Sequence, residues 1–160
     1  MDEIEFYEGK TVFHCLVSVR GDTLRLDCLK ILLSVAGDKA WDLIKMRDHN
    51  GCTILNLSPC TSIAVANELC NAAPNSKELW ELICTKNDCG DTILYDILSR
   101  SFYAADVVKK LLSYAPSPAE AWLLISTRNW GCFTLDLKLS NEVREILESY
   151  KPVKHKWILI

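Results

Sequence analysis

Gly51-Cys52-Thr53-Ile54-Leu55-Asn56 decides the fold reading, because the phrase comes back at three other places. It returns as Gly9-Lys10-Thr11-Val12-Phe13-His14, Gly90-Asp91-Thr92-Ile93-Leu94-Tyr95 and Gly131-Cys132-Phe133-Thr134-Leu135-Asp136. Successive glycines lie 42, 39 and 41 residues apart. Self-similarity at such a period predicts stacked units rather than one globular fold. Stacked arrays present extended binding surfaces in place of enclosed catalytic pockets.

Two further segments repeat in the same order. Cys28-Leu29, Leu32-Leu33 and Ala36 share their apolar spacing with Val65-Ala66, Leu69-Cys70 and Ala73, and with Val107-Val108, Leu111-Leu112 and Ala115. The last unit offers Val143, Ile146, Leu147 and Tyr150. This is one face of an amphipathic helix, closed by Gly37, Pro74, Pro116 and Pro152, which do not readily continue a helix. A third segment carries a tryptophan: Trp41-Asp42-Leu43-Ile44, Trp80-Glu81-Leu82-Ile83 and Trp122-Leu123-Leu124-Ile125. Its regular recurrence predicts core packing. Ser117-Pro118-Ala119-Glu120 reads as a capping box with proline at the first helical position. Asp38 and Ser76 are the expected caps of the other two copies. The units are therefore drawn at 8–48, 49–87, 88–128 and 129–150, followed by a basic-hydrophobic tail at 151–160.

At this point the residues resemble ankyrin repeats, whose phrase D-x-x-G-x-T-P-L-H is matched by Asp48 to Asn56 except at the proline and histidine. His14 keeps the terminal histidine, and Asn87–Tyr95 and Arg128–Asp136 are looser matches. The units exceed the family's 33 residues by the length of the tryptophan segment. No unit has the phrase's proline, and Pro59 predicts a short or distorted first helix in the second unit. The glycine has a mechanical reason, a positive φ in the tight finger between units. The expected fold is all-α, an ankyrin-type helical repeat solenoid with short finger turns and an extra short helix per unit. The resemblance implies that His14 ties the start of its helix to the neighbouring turn. It also implies a concave face of fingers and first helices that holds another protein, as in scaffolds, inhibitors, and effectors that intracellular bacteria and viruses turn on their hosts.

Composition fits this reading. Hydrophobic residues make up 49% and charged residues 24%, a globular mixture. Net charge is −3, too small to predict a nucleic-acid partner. Lys151, Lys154 and Lys156 make the tail basic, and the body is correspondingly more acidic. Cys28 and Cys70, two of eight cysteines, fall on apolar helix faces, where a free thiol behaves as a small hydrophobe. Free thiols are the expectation for all eight. MDEIEFYEGK lacks a basic stretch followed by an apolar run, so no signal peptide is expected. No apolar run approaches the roughly 18 residues of a membrane span. The expected setting is cytoplasmic or otherwise intracellular.

Catalytic and cofactor chemistry finds little support. The chain has no phosphate loop, its glycines being single and far apart. Cys84 and Cys89 have four residues between them and no second tight pair, so no zinc site is expected. No catalytic residue and no cofactor is assigned. The expected protein-binding strip flanks each glycine: Tyr7, Glu8 and Lys10; His49, Asn50 and Cys52; Asp88, Cys89 and Asp91; Asn129, Trp130 and Cys132. Trp130 is read either as an interface anchor, since tryptophan is enriched at hot spots, or as a ring folded back on the last unit. Asp88 and Asp91 would select a basic or mixed-charge protein segment. The tail has several readings: a capping strand, a weak membrane contact, a C-terminal ligand for strand addition, or a linker. The leading expectation is a non-enzymatic interaction module, monomeric when alone. The alternative is a structural or regulatory subunit held permanently in a larger assembly, with its tail as the candidate attachment.

Overall fold

The computed structural model describes residues 9–16, 19, 21–57, 62–100, 105–129 and 132–152. The chain is mainly helical, and among the described residues the only β-type pairing is two isolated bridges, Lys86 with Thr92 and Arg128 with Phe133. The helices are α1 (Val12–Cys15), α2 (Asp22–Ala36), α3 (Ala40–Lys45), α4 (Ile54–Leu57), α5 (Ile63–Asn71), α6 (Ser76–Ile83), α7 (Ile93–Arg100), α8 (Ala105–Leu112), α9 (Pro118–Ile125) and α10 (Asn141–Ser149). Single 3-10 turns occupy Gly37–Lys39 and Thr134–Asp136.

Two rows of neighbours emerge from the packing. Helix α2 lies against α5, α5 against α8, and α8 against α10. In a second row α1 meets α4, α4 meets α7, and α7 meets the 3-10 turn at Thr134–Asp136. The two rows share one apolar core running from Phe13 and Leu29 through Leu69, Ile83 and Leu111 to Val143 and Leu147. Short helices with one apolar face gain most of their stability from such packing rather than from intrinsic propensity. Exposed cross-helix ion pairs, Lys30–Glu68 and Lys109–Glu142, add little to it.

Local signals explain most of the boundaries. Gly37 ends α2 with φ +53°, and its N–H bonds back to the Leu33 carbonyl. Ser117 caps α9: its Oγ accepts from the Glu120 N–H, with Pro118 at the first helical position. The other two cap expectations require correction. Asn75 caps α6, its side chain accepting from the Glu78 N–H, and Ser76 is already helical. No side chain caps α3, which runs straight on from the turn containing Asp38. Asn75 wins because it takes the extended backbone from which a side-chain oxygen can reach the third helical N–H.

The C-terminal segment departs from the earlier ones. Where α1, α4 and α7 stand in those, it has only the turn Thr134–Asp136. Trp41 and Trp80 are buried, as the recurrence predicts, whereas Trp122 is only half-buried. Pro59, Gly131 and residues 153–160 lie outside the described residues, so the expectations for a distorted second-unit helix and for the tail fall there. No disulfide links the seven described cysteines; Cys60 lies outside them. No helix among the described residues is long and apolar enough to cross a membrane.

Candidate functional site: the finger column

Two of the fingers are tight turns closed by the side chain of their first polar residue. Asp48 N–H donates to the Cys52 carbonyl, and Asp48 Oδ1 accepts from the N–H groups of Asn50 and Cys52 at 2.9 and 3.0 Å. Asn87 repeats this, its Oδ1 accepting from Cys89 and Asp91, both at 3.0 Å. Such side-chain turns suit Asp and Asn because their oxygen reaches backbone two residues on. Gly51, at φ +70°, takes a backbone conformation that L side chains rarely adopt, which favours glycine at the tip of the turn.

The third residue after Thr11, Thr53 and Thr92 links its segment to a later one, with a different chemistry each time. His14 Nδ1 accepts from the Thr11 N–H at 3.1 Å, so the ring proton sits on Nε2, which donates to the Cys52 carbonyl at 3.0 Å. Asn56 Oδ1 accepts from both Thr53 N–H and hydroxyl, while its Nδ2 donates to Asp96 at 2.7 Å. Tyr95 places its hydroxyl 3.2 Å from Cys132 Sγ, and that bond pushes the phenol up to about 12. A phenol cannot also accept from the start of its own helix. Asn129 does so from the next finger, its Oδ1 accepting from Thr92 N–H and hydroxyl at 2.9 and 3.2 Å. The acceptors on His14, Asn56 and Asn129 each satisfy a backbone donor that a helix start leaves over.

Basic residues at the base of two fingers form a second series of links. Arg47 donates to the carbonyls of Gly51 and Lys86, each at 2.8 Å, and lies 3.2 Å from Asp88. Lys86 Nζ in turn donates to the Arg128 carbonyl at 3.0 Å. Sequence reasoning missed this ladder, although its signal was present: a lysine or arginine precedes Asp48, Asn87 and Asn129 alike. Backbone contact adds to it, the Asp88 N–H donating to the Asn50 carbonyl at 3.0 Å.

These ties divide the expected binding strip. His49, Asn50, Asp88 and Cys89 are exposed, and Lys10 and Cys132 are half-buried. Cys52, Asp91 and Asn129, by contrast, are each less than a tenth exposed. Cys52 gives its carbonyl to His14 and Asp48, and Asn129 caps α7 across the gap. Of the two aspartates, Asp91 is buried, whereas the Asp88 side chain is 64% exposed and paired with Arg47. Tyr7, Glu8 and Trp130 lie outside the described residues. Next to the column, Lys45, Arg47, Glu78 and Glu81 line an open groove of about 290 Å³ that carries both charge signs.

The described residues hold no cluster of three or more metal-ligating side chains. Among the thiols, burial pushes Cys70 up to about 11, against a smaller opposing pull from the Lys110 ammonium. Two units above the ordinary value leave about 100-fold less thiolate at a given pH below both. Iodoacetamide at pH 8 is therefore expected to label exposed Cys89 in the native protein and Cys70 only after denaturation, as read by peptide mass spectrometry. Equal labelling rates at the two would contradict this placement.

No family model matches the chain, no curated protein matches its sequence, and no solved structure matches its fold.

Proposed function

We propose that the chain is a non-enzymatic protein-interaction module built as an ankyrin-type repeat stack. One observation carries the reading: exposed finger tips at His49, Asn50, Asp88 and Cys89 stand on turns locked to one another, beside a groove of mixed charge. Pre-formed surfaces lose little entropy on binding. The partner best suited to it is a protein segment carrying basic or mixed charge. Asp88 offers it a carboxylate, and the groove offers both ammonium and carboxylate groups.

The test is capture of partners by the full chain from the cells in which it acts. A His49→Ala/Asn50→Ala/Asp88→Ala variant is expected to lose the captured protein while keeping its melting temperature within a few degrees. Trp130→Ala is expected to weaken that binding at least ~30-fold, since aromatic hot spots contribute about 2 kcal/mol or more. Undiminished capture by both variants would move the interface off the finger column. Binding to nucleic acid with steep salt dependence would overturn the choice of partner class.

A further inference from the structure

We propose that Asn50 is a site of spontaneous deamidation, gated by the contact between the turn at 48–52 and the turn at 87–91. Of the asparagines in the chain, only Asn50 is followed by glycine. The reaction joins the backbone nitrogen of the following residue to the asparagine side chain, and a side chain on that residue obstructs the approach. Glycine has none. Asn50 is exposed, and among the described residues its side-chain amide has no hydrogen bond. Asn56, Asn75, Asn87 and Asn129 instead commit their side-chain oxygens to backbone N–H groups.

The Asn50–Gly51 peptide, whose nitrogen must attack, is fastened on both sides. Its N–H donates to the Asp48 carbonyl at 2.9 Å, and its carbonyl accepts from the Asp88 N–H at 3.0 Å. Asp48 Oδ1 also holds the Asn50 N–H, at 2.9 Å. Gly51 is buried, and its own carbonyl accepts from Arg47 Nε at 2.8 Å. Ring closure turns this peptide toward the Asn50 side chain and removes the proton from its nitrogen. Neither step is open while that proton is bonded to a carbonyl, out of reach of solvent base. The two turns must part first, a local opening of the kind that costs less than global unfolding.

Once the turns part, the balance of atoms is that of a hydrolysis. A solvent base takes the Gly51 N–H proton, and the nitrogen attacks Asn50 Cγ. The bond from Cγ to Nδ2 breaks, and ammonia leaves with the proton. Water then opens the cyclic imide at either carbonyl. One product is an aspartyl residue with the backbone path unchanged. The other is an isoaspartyl residue, in which the chain runs through Cβ and Cγ and the former Asn50 carbonyl carbon becomes a free carboxylate. Both add negative charge beside Asp88, whose side chain is 64% exposed. In the isoaspartyl form the acceptor of the Asp88 N–H has left the main chain, so the contact between the turns does not re-form in its original register. The site is independent of the partner that the finger column takes.

The test follows the Asn50 peptide by liquid chromatography and mass spectrometry during incubation of the full chain at neutral pH and physiological temperature. The reference is the same chain unfolded in guanidinium chloride. In the folded protein, conversion to the aspartyl and isoaspartyl forms should be at least about tenfold slower, an opening cost of at least ~1.4 kcal/mol. Asp88→Pro removes the N–H that holds the Asn50 carbonyl and should restore much of the lost rate. Should that variant unfold, dilute guanidinium on the wild-type protein decides: the rate should rise well below the global unfolding transition. A folded chain that converts as fast as the unfolded one would overturn the gate. So would a folded Asp88→Pro variant no faster than wild type, or a wild-type rate that rises only with global unfolding.

Discussion

Trp80→Ala is expected to destabilise the protein by about 3–5 kcal/mol, the range for a large aromatic removed from a packed core. Trp80 is 8% exposed within α6 and belongs to the core that joins the two helix rows. Deleting its ring removes both the transfer free energy of the indole and the contacts of everything that faced it. For a chain of this size the melting temperature should fall by on the order of 10 °C. Leu123→Ala is the matched control, because Leu123 is 66% exposed on α9 and should change stability by less than about 0.5 kcal/mol. Thermal melts followed by circular dichroism read both. Equal melting temperatures for the two variants would sink the assignment of the tryptophan segments to the core.

A loss of about 2–3 kcal/mol is expected from Asn56→Ala, for a different reason. Asn56 is 5% exposed, and its amide both accepts from Thr53 and donates to the buried Asp96. Alanine takes the acceptor away from the Thr53 N–H and removes one of the donors on the Asp96 carboxylate. Buried groups deprived of a partner cost more than the hydrogen bond was worth. Asn56→His should recover part of the loss, since His14 at the matched position performs both tasks with one ring. Urea denaturation of the three proteins measures the order. A histidine variant no better than the alanine variant would show that the two ties are not equivalent.

Much of the local design was legible in the sequence. The repeating helix faces locate α2, α5, α8 and α10, and the recurring glycine marks turns whose φ is positive at Gly9, Gly51 and Gly90. Ser117 with Pro118 marks the start of α9. These features depend on residues within a few positions of each other, so spacing alone reveals them. The cap of α6 was misread by one position because Asn75 and Ser76 are both good caps, and only the backbone angle separates them. Roles that reach across about 40 residues were not legible. Nothing in the turn itself tells that Asn129 serves Thr92. Nor does it tell that Arg47 reaches the Lys86 carbonyl.

What the sequence determined by itself is the helical class, the order of the elements and which face of each helix is apolar, since these follow from local propensity and periodicity. The tertiary structure decided which polar residues of the fingers are consumed internally, and so which remain for a partner. It also decided that Leu24, Ile31 and Val35 of α2 stand exposed while Leu29 on the same helix is buried. Burial is a property of what lies opposite a side chain. An apolar stripe looks the same in sequence whether a helix covers it or water does.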